Sequence, residues 1–107
     1  MNYGGQWRIT EMDQWDVDYL DMDVPAYIKI KANGSGEFQF GLVCGQLDGD
    51  VIKDGDQERF DFTWDGNDEC DEASGSGWLK LNGKTGLTGH IKLHHGDRSG
   101  LVAVRIK

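Results

Sequence analysis

Apolar and polar residues alternate with a period of two along most of the chain, the mark of strands with one face in a core. The first such run is Gln6 to Glu11. In the second, Ala26 to Lys31, the residues Ala26, Ile28 and Ile30 alternate with Tyr27, Lys29 and Lys31. Asn33-Gly34-Ser35-Gly36 predicts a turn, because Asn-Gly between two alternating runs is a strong hairpin signal. A third strand follows, with Phe38, Phe40, Leu42 and Cys44 on one face. Glu58 to Trp64 forms a fourth, with Phe60, Phe62 and Trp64 inward, and Gly77 to Leu81 a fifth. Asn82-Gly83-Lys84-Thr85-Gly86 turns into a sixth, with Leu87, Gly89, Ile91 and Leu93 on one face. The last run, Gly100 to Ile106, sets Val102, Val104 and Ile106 against Leu101, Ala103 and Arg105. The links are short, so the strands are expected to pair as an antiparallel meander. The expected fold is all-β: a small up-and-down β-barrel of about seven strands, forming one domain over residues 1–107.

Two segments break the alternation. Met12, Trp15, Tyr19 and Met22 recur at helical spacing, with Asp13 placed to cap. One or two helical turns are expected between the first two strands, their aromatic stripe covering one barrel end. Leu47 to Gln57, with Asp48, Asp50, Asp54 and Asp56, reads as a solvated, mobile hairpin loop.

Composition narrows the function classes. A chain of 107 residues can bury a modest core without disulfides or metals. Sixteen glycines against one proline suit many turns and a tightly bent sheet. A net charge of -8 argues against nucleic acid and against an anionic membrane surface as partner. No apolar run is long enough to span a bilayer, and the first residues lack a basic and then apolar leader. A cytoplasmic monomer or homodimer is expected. Cys44 and Cys70 fit no metal spacing and are expected as free thiols at opposite ends of the fold.

The densest chemistry lies between Trp64 and Trp78. Asp65, Asp68, Glu69, Asp71 and Glu72 crowd into a glycine-rich stretch, and like charges this close repel unless compensated. A seven-strand meander places this loop at one end with the 33–36 turn and with His94-His95-Gly96-Asp97-Arg98-Ser99. The helix-bearing segment, the 47–57 loop and the 82–86 turn then share the other end. The expected polar cluster is Asp65, Asp68, Glu69, Asp71, Ser74, His94, Asp97 and Ser99, with Arg98 near, and with His94 or His95 bonded to a carboxylate. Such side chains cap turns as a matter of course. A calcium loop would need its repeating aspartates and terminal glutamate, and these are missing. Catalysis would need a histidine base and a nucleophile, but no strained elbow surrounds Ser99. No catalytic residue, metal ligand or cofactor is assigned.

Three functions remain open. The first is non-catalytic binding of a small molecule in the barrel mouth, beneath the Met12–Met22 lid, with Trp15, Tyr19, Tyr27, Phe38, Phe40 and Trp64 lining it. The second is an acidic module that engages a basic protein partner. The third is an enzyme or metal site at the His94/Asp97 end.

Two resemblances add to this. Gly5-Gln6-Trp7 in the first strand, with Arg105 in the last, resembles the lipocalin/calycin signature. That likeness implies a barrel in which Arg105 crosses over Trp7 at the closed base. Trp15-Asp16-Val17-Asp18-Tyr19, Pro25-Ala26-Tyr27-Ile28, Gly36-Glu37-Phe38-Gln39-Phe40-Gly41, Trp64-Asp65-Gly66-Asn67-Asp68-Glu69, Ser74-Gly75-Ser76-Gly77-Trp78 and Gly96-Asp97-Arg98-Ser99 together resemble a group of small bacterial proteins. No activity is attached to that group, so the likeness implies a single domain and carries over no catalytic residue.

Overall fold

The computed structural model describes residues 2–106. Eight antiparallel strands close on themselves in chain order. They are β1 (Gly5–Met12), β2 (Tyr27–Ile30), β3 (Ser35–Phe40), β4 (Val43–Asp54), β5 (Gln57–Asp68), β6 (Asp71–Asn82), β7 (Gly86–Leu93) and β8 (Arg98–Arg105). Among the described residues one short helix, α1 (Val17–Leu20), lies between β1 and β2. The barrel closes by pairing β1 with β8, Trp7 lying opposite Arg105. Among the described residues no helix is long and apolar enough to cross a membrane.

The count is eight rather than seven because the expected third strand is two. Phe40 pairs with Val43 around Gly41-Leu42, and Gly41 takes the left-handed conformation the turn requires (φ 59°). The apolar run simply continues through this turn, so alternation does not mark it. Cys44 therefore lies on β4, half-buried and off the inner face. Two expected loops are also strand. Residues 47–57 form the ends of β4 and β5, closing at Gly55-Asp56, with Asp54 opposite Gln57. Most of 65–76 belongs to β5 and β6, which turn at Glu69-Cys70.

The extra strand makes two of the six expected connections, the α1 segment and the 31–34 turn, exchange ends. The α1 segment, Gly41-Leu42, Glu69-Cys70 and the 94–97 turn now share one end. The 31–34, 55–56 and 83–85 turns and the chain ends share the other. Cys44 sits opposite Asn67, close in register to the Cys70 turn, so the two free cysteines lie at the same end.

The inner face is read from the buried pattern: Ile28 and Ile30, Phe38 and Phe40, Phe60, Phe62 and Trp64, Leu87 and Ile91, Leu101 and Ala103. An eight-stranded barrel is just wide enough to be filled by its own side chains. Glycines make room for the rings. A Cβ on Gly45 would stand 2.7 Å from Trp64 and 3.0 Å from Phe38, and one on Gly77 would stand 2.5 Å from Phe62. Many of the glycines that suggest turns in the sequence are thus inward strand positions facing an aromatic ring.

The helix is one turn. Its N-cap is Asp16, whose carboxylate accepts from the Tyr19 N–H at 3.1 Å. Asp13, the expected cap, instead accepts from the Gly100 N–H at 3.0 Å and ties the segment to β8. Met12 ends β1, and Met22 is exposed, so the plug consists of Trp15, Tyr19 and Leu20. Asp21 closes the segment by accepting from the Ala26 N–H at 2.9 Å and from Arg8 at 2.8 Å. The Ala26 hydrogen bond, and then Arg8, hold its carboxyl below the usual range.

Candidate functional site

The mouth of the barrel is occupied by protein. Trp15 stacks on Tyr19 (6.1 Å between ring centroids) and packs on Phe40 (5.0 Å). Phe38 lies 5.9 Å from Phe40 and meets Trp64 edge-on at 5.1 Å. Five of the six candidate lining residues thus pack together, three of them fully in the core. The sixth, Tyr27, points outward on β2, and its hydroxyl donates to Glu37 Oε2 at 2.8 Å. Burial pushes the Tyr27 phenol up to about 12, reinforced by the hydrogen bond to Glu37 and by the Glu37 charge.

At the opposite end, Arg105 lies over the Trp7 indole, 4.1 Å from the ring centroid. Its guanidinium also donates to Gly4 O and Asn2 O at 2.8 Å each and to Lys84 O at 3.3 Å. Trp7 in turn donates to Tyr3 O at 3.0 Å.

The polar end cluster divides. His94 N–H donates to Ser74 O at 2.7 Å, so the 94–97 turn does border β6. The imidazoles of His94 and His95 lie 4.0 Å apart between ring centroids, tilted by 50°. Among the described residues neither histidine pairs with a carboxylate; the ion pairs involve Asp21, Asp54 and Asp61 instead. The reason is geometric. Asp65 lies three residues back along β5 opposite Ser74, while Asp68 and Asp71 are cross-strand partners flanking the two-residue turn, so the carboxylates follow a hairpin rather than gather in a loop around a histidine. Glu69 takes the first turn position with φ 58°, its N–H bonded to Leu42 O. Asp97 contributes its backbone carbonyl to the Leu93 N–H. Ser99 is buried, accepting from Asp13 N–H and Gln14 N–H and donating to Gly100 O. That makes it a fastening between β8 and the α1 segment. Among the described residues no group of three or more His, Cys, Asp or Glu side chains converges as a metal site requires.

What the fold assembles is a groove of about 880 Å³ on the outer face of β2 to β6. It takes Tyr27 and Phe38 from one set of candidates, and Asp65, Ser74 and His94 from the other. It adds Glu37, Gln39, Gln46, Asn67 and Glu72, with Cys44 between them. These sit at alternating outward positions on neighbouring strands, and only the true register brings them side by side. Three carboxylates line it, Glu37, Asp65 and Glu72, all exposed, against one imidazole. Comparison with protein-family models, curated proteins and solved structures finds no match to this chain.

Proposed function

We propose that the protein is a non-catalytic binding module, and that the groove on β2 to β6 receives a basic segment of a protein partner. The observation that carries this is the groove itself: a concavity of about 880 Å³ whose formal charges are carboxylates. Glu37, Asp65 and Glu72 attract cationic side chains, and Gln39, Gln46 and Asn67 offer amides to a peptide backbone. The packed mouth favours this outer site over a ligand beneath the α1 segment. The Arg105–Trp7 crossing supports kinship with lipocalin-like barrels. A cytoplasmic location belongs to the same proposal, since the free thiols Cys44 and Cys70 suit a reducing compartment.

The experiment is a calorimetric titration with extended Lys/Arg-rich peptides, repeated from about 50 to about 500 mM salt. Binding should weaken steeply with salt, and by at least about tenfold in the triple variant Glu37→Gln, Asp65→Asn, Glu72→Gln. Equal affinity in the variant, or none in the native chain, would overturn the reading.

A further inference from the structure

A second stretch of the outer face, on β4 to β8, carries an arrangement with different chemistry. It forms a groove of about 530 Å³. Cross-strand registers order its side chains into two adjacent rows. One row runs Asp48, Thr63, Ser76, Lys92, Arg98, and the other Asp50, Asp61, Trp78, His90, Gly100. Each row crosses five strands, roughly 19 Å at about 4.8 Å per strand.

Trp78 is the outlier. It faces away from the core and is not part of the core cluster. Its ring lies near-parallel to that of His90, 14° between planes and 6.3 Å between centroids, with the Lys80 ammonium over the ring, 5.8 Å from its centroid. Trp7 and Trp64 spend their indole N–H on backbone carbonyls. Among the described residues the Trp78 N–H makes no such bond. A large ring with a free donor on an outer sheet face serves nothing in the barrel interior.

The charges around it are balanced and separated. Asp48 and Asp50 stand on β4, Lys92 and Arg98 on β7 and β8, and the hydroxyls of Thr63 and Ser76 lie between them. Arg59 is held by Asp61 and adds little free charge. An anion would be repelled by one wall and a cation by the other. A neutral ligand rich in hydroxyls can donate to the carboxylates and accept from the cations at once. If it also has a flat C–H face, that face can lie on the electron-rich indole. The geometry points to an oligosaccharide-binding subsite centred on Trp78, for a neutral sugar chain laid across the strands.

The test is titration of the ¹⁵N-labelled full chain with cellotriose, maltotriose and chitotriose, following the Trp78 indole N–H. At least one of these neutral probes should shift it saturably at concentrations up to about 10 mM. Trp78→Ala should weaken that binding by at least about tenfold, while Trp78→Phe, which keeps a ring, should lose much less. Asp48→Asn and Lys92→Ala, which leave Trp78 and the interior untouched, should each weaken it severalfold. Neutralising Glu37, Asp65 and Glu72 in the other groove should leave it unchanged. No saturable shift with any neutral trisaccharide, unaltered binding in folded Trp78→Ala, or binding of a sulfated trisaccharide alone would overturn the proposal.

Discussion

Arg105 shows how much one side chain can hold. It covers Trp7, which is fully buried, and its guanidinium reaches three backbone carbonyls contributed by both the N-terminal segment and the β6–β7 turn. A cation–π contact contributes about 0.5–2 kcal/mol, and a hydrogen bond to a charged group about 1.5–3 kcal/mol where it is shielded. With partial exposure discounted, Arg105→Ala is expected to cost about 2–4 kcal/mol in denaturant unfolding. Arg105→Lys should recover less than half, since an ammonium cannot fork between several carbonyls while lying flat on an indole. A loss under about 0.5 kcal/mol would show the crossing to be ornamental. Tyr27 offers a second test, in pH. Its folded value of about 12 lies above the ordinary phenol value of about 10. The neutral form is therefore favoured by folding. Its contribution is fully present below pH 10 and disappears as pH rises through about 12. Tyrosine-resolved NMR should find Tyr27 titrating near 12, and lower in Glu37→Gln but still above the ordinary phenol range because burial remains; an ordinary value in the native chain would show that neither the burial nor the Glu37 bond persists in solution.

At the scale of elements, the β3–β4 turn is what seats the helix. Gly41 N–H donates to Leu20 O at 2.8 Å, and Leu42 N–H donates to the Tyr19 hydroxyl at 3.3 Å. A Cβ on Gly41 would fall 2.1 Å from the Tyr19 ring, and the position has positive φ as well. Gly55 shares the positive φ (66°) but has nothing within 4 Å of its Cβ site. The pair separates backbone strain from collision. Gly55→Ala should cost about 1 kcal/mol, the usual penalty for a side chain in the left-handed region. Gly41→Ala should cost about 2–4 kcal/mol and loosen the Trp15–Tyr19 stack, because overpacking adds to the strain. Near-UV circular dichroism would report the stack and thermal unfolding the cost. Equal losses at the two sites would mean that α1 is not docked on this turn.

For the whole molecule, the inner faces of β2, β5, β7 and β8 were legible because β-branched, leucine and aromatic residues alternate there with polar ones. The long strands β4 and β6, and the Asp65–Asp68 end of β5, were harder to read. Their inward positions are often glycine (45, 49, 66, 75 and 77), and a glycine facing a ring erases the apolar beat that marks a strand. The acidic stretch consequently read as a loop, and its carboxylates as a cluster. The same miscount of strands hid the groove, since Glu37, Gln46 and Glu72 become neighbours of Asp65 only in the eight-stranded register. What survives from the sequence is the net charge of -8. The barrel spreads that charge over its outside: the ion pairs among the described residues engage only Asp21, Asp54 and Asp61. Mutual repulsion among the remaining carboxylates opposes the compact state more than the extended chain, and salt screens it over about 10 Å at 0.1 M. Raising a non-specific salt such as NaCl from about 0.02 to about 0.5 M should therefore raise the Tm at neutral pH by several degrees. The rise should shrink as pH falls through the carboxylate range and the repulsion is titrated away. A Tm that instead falls with added salt would mean that the few ion pairs outweigh the acidic surface, and that the groove is less negative than its carboxylates imply.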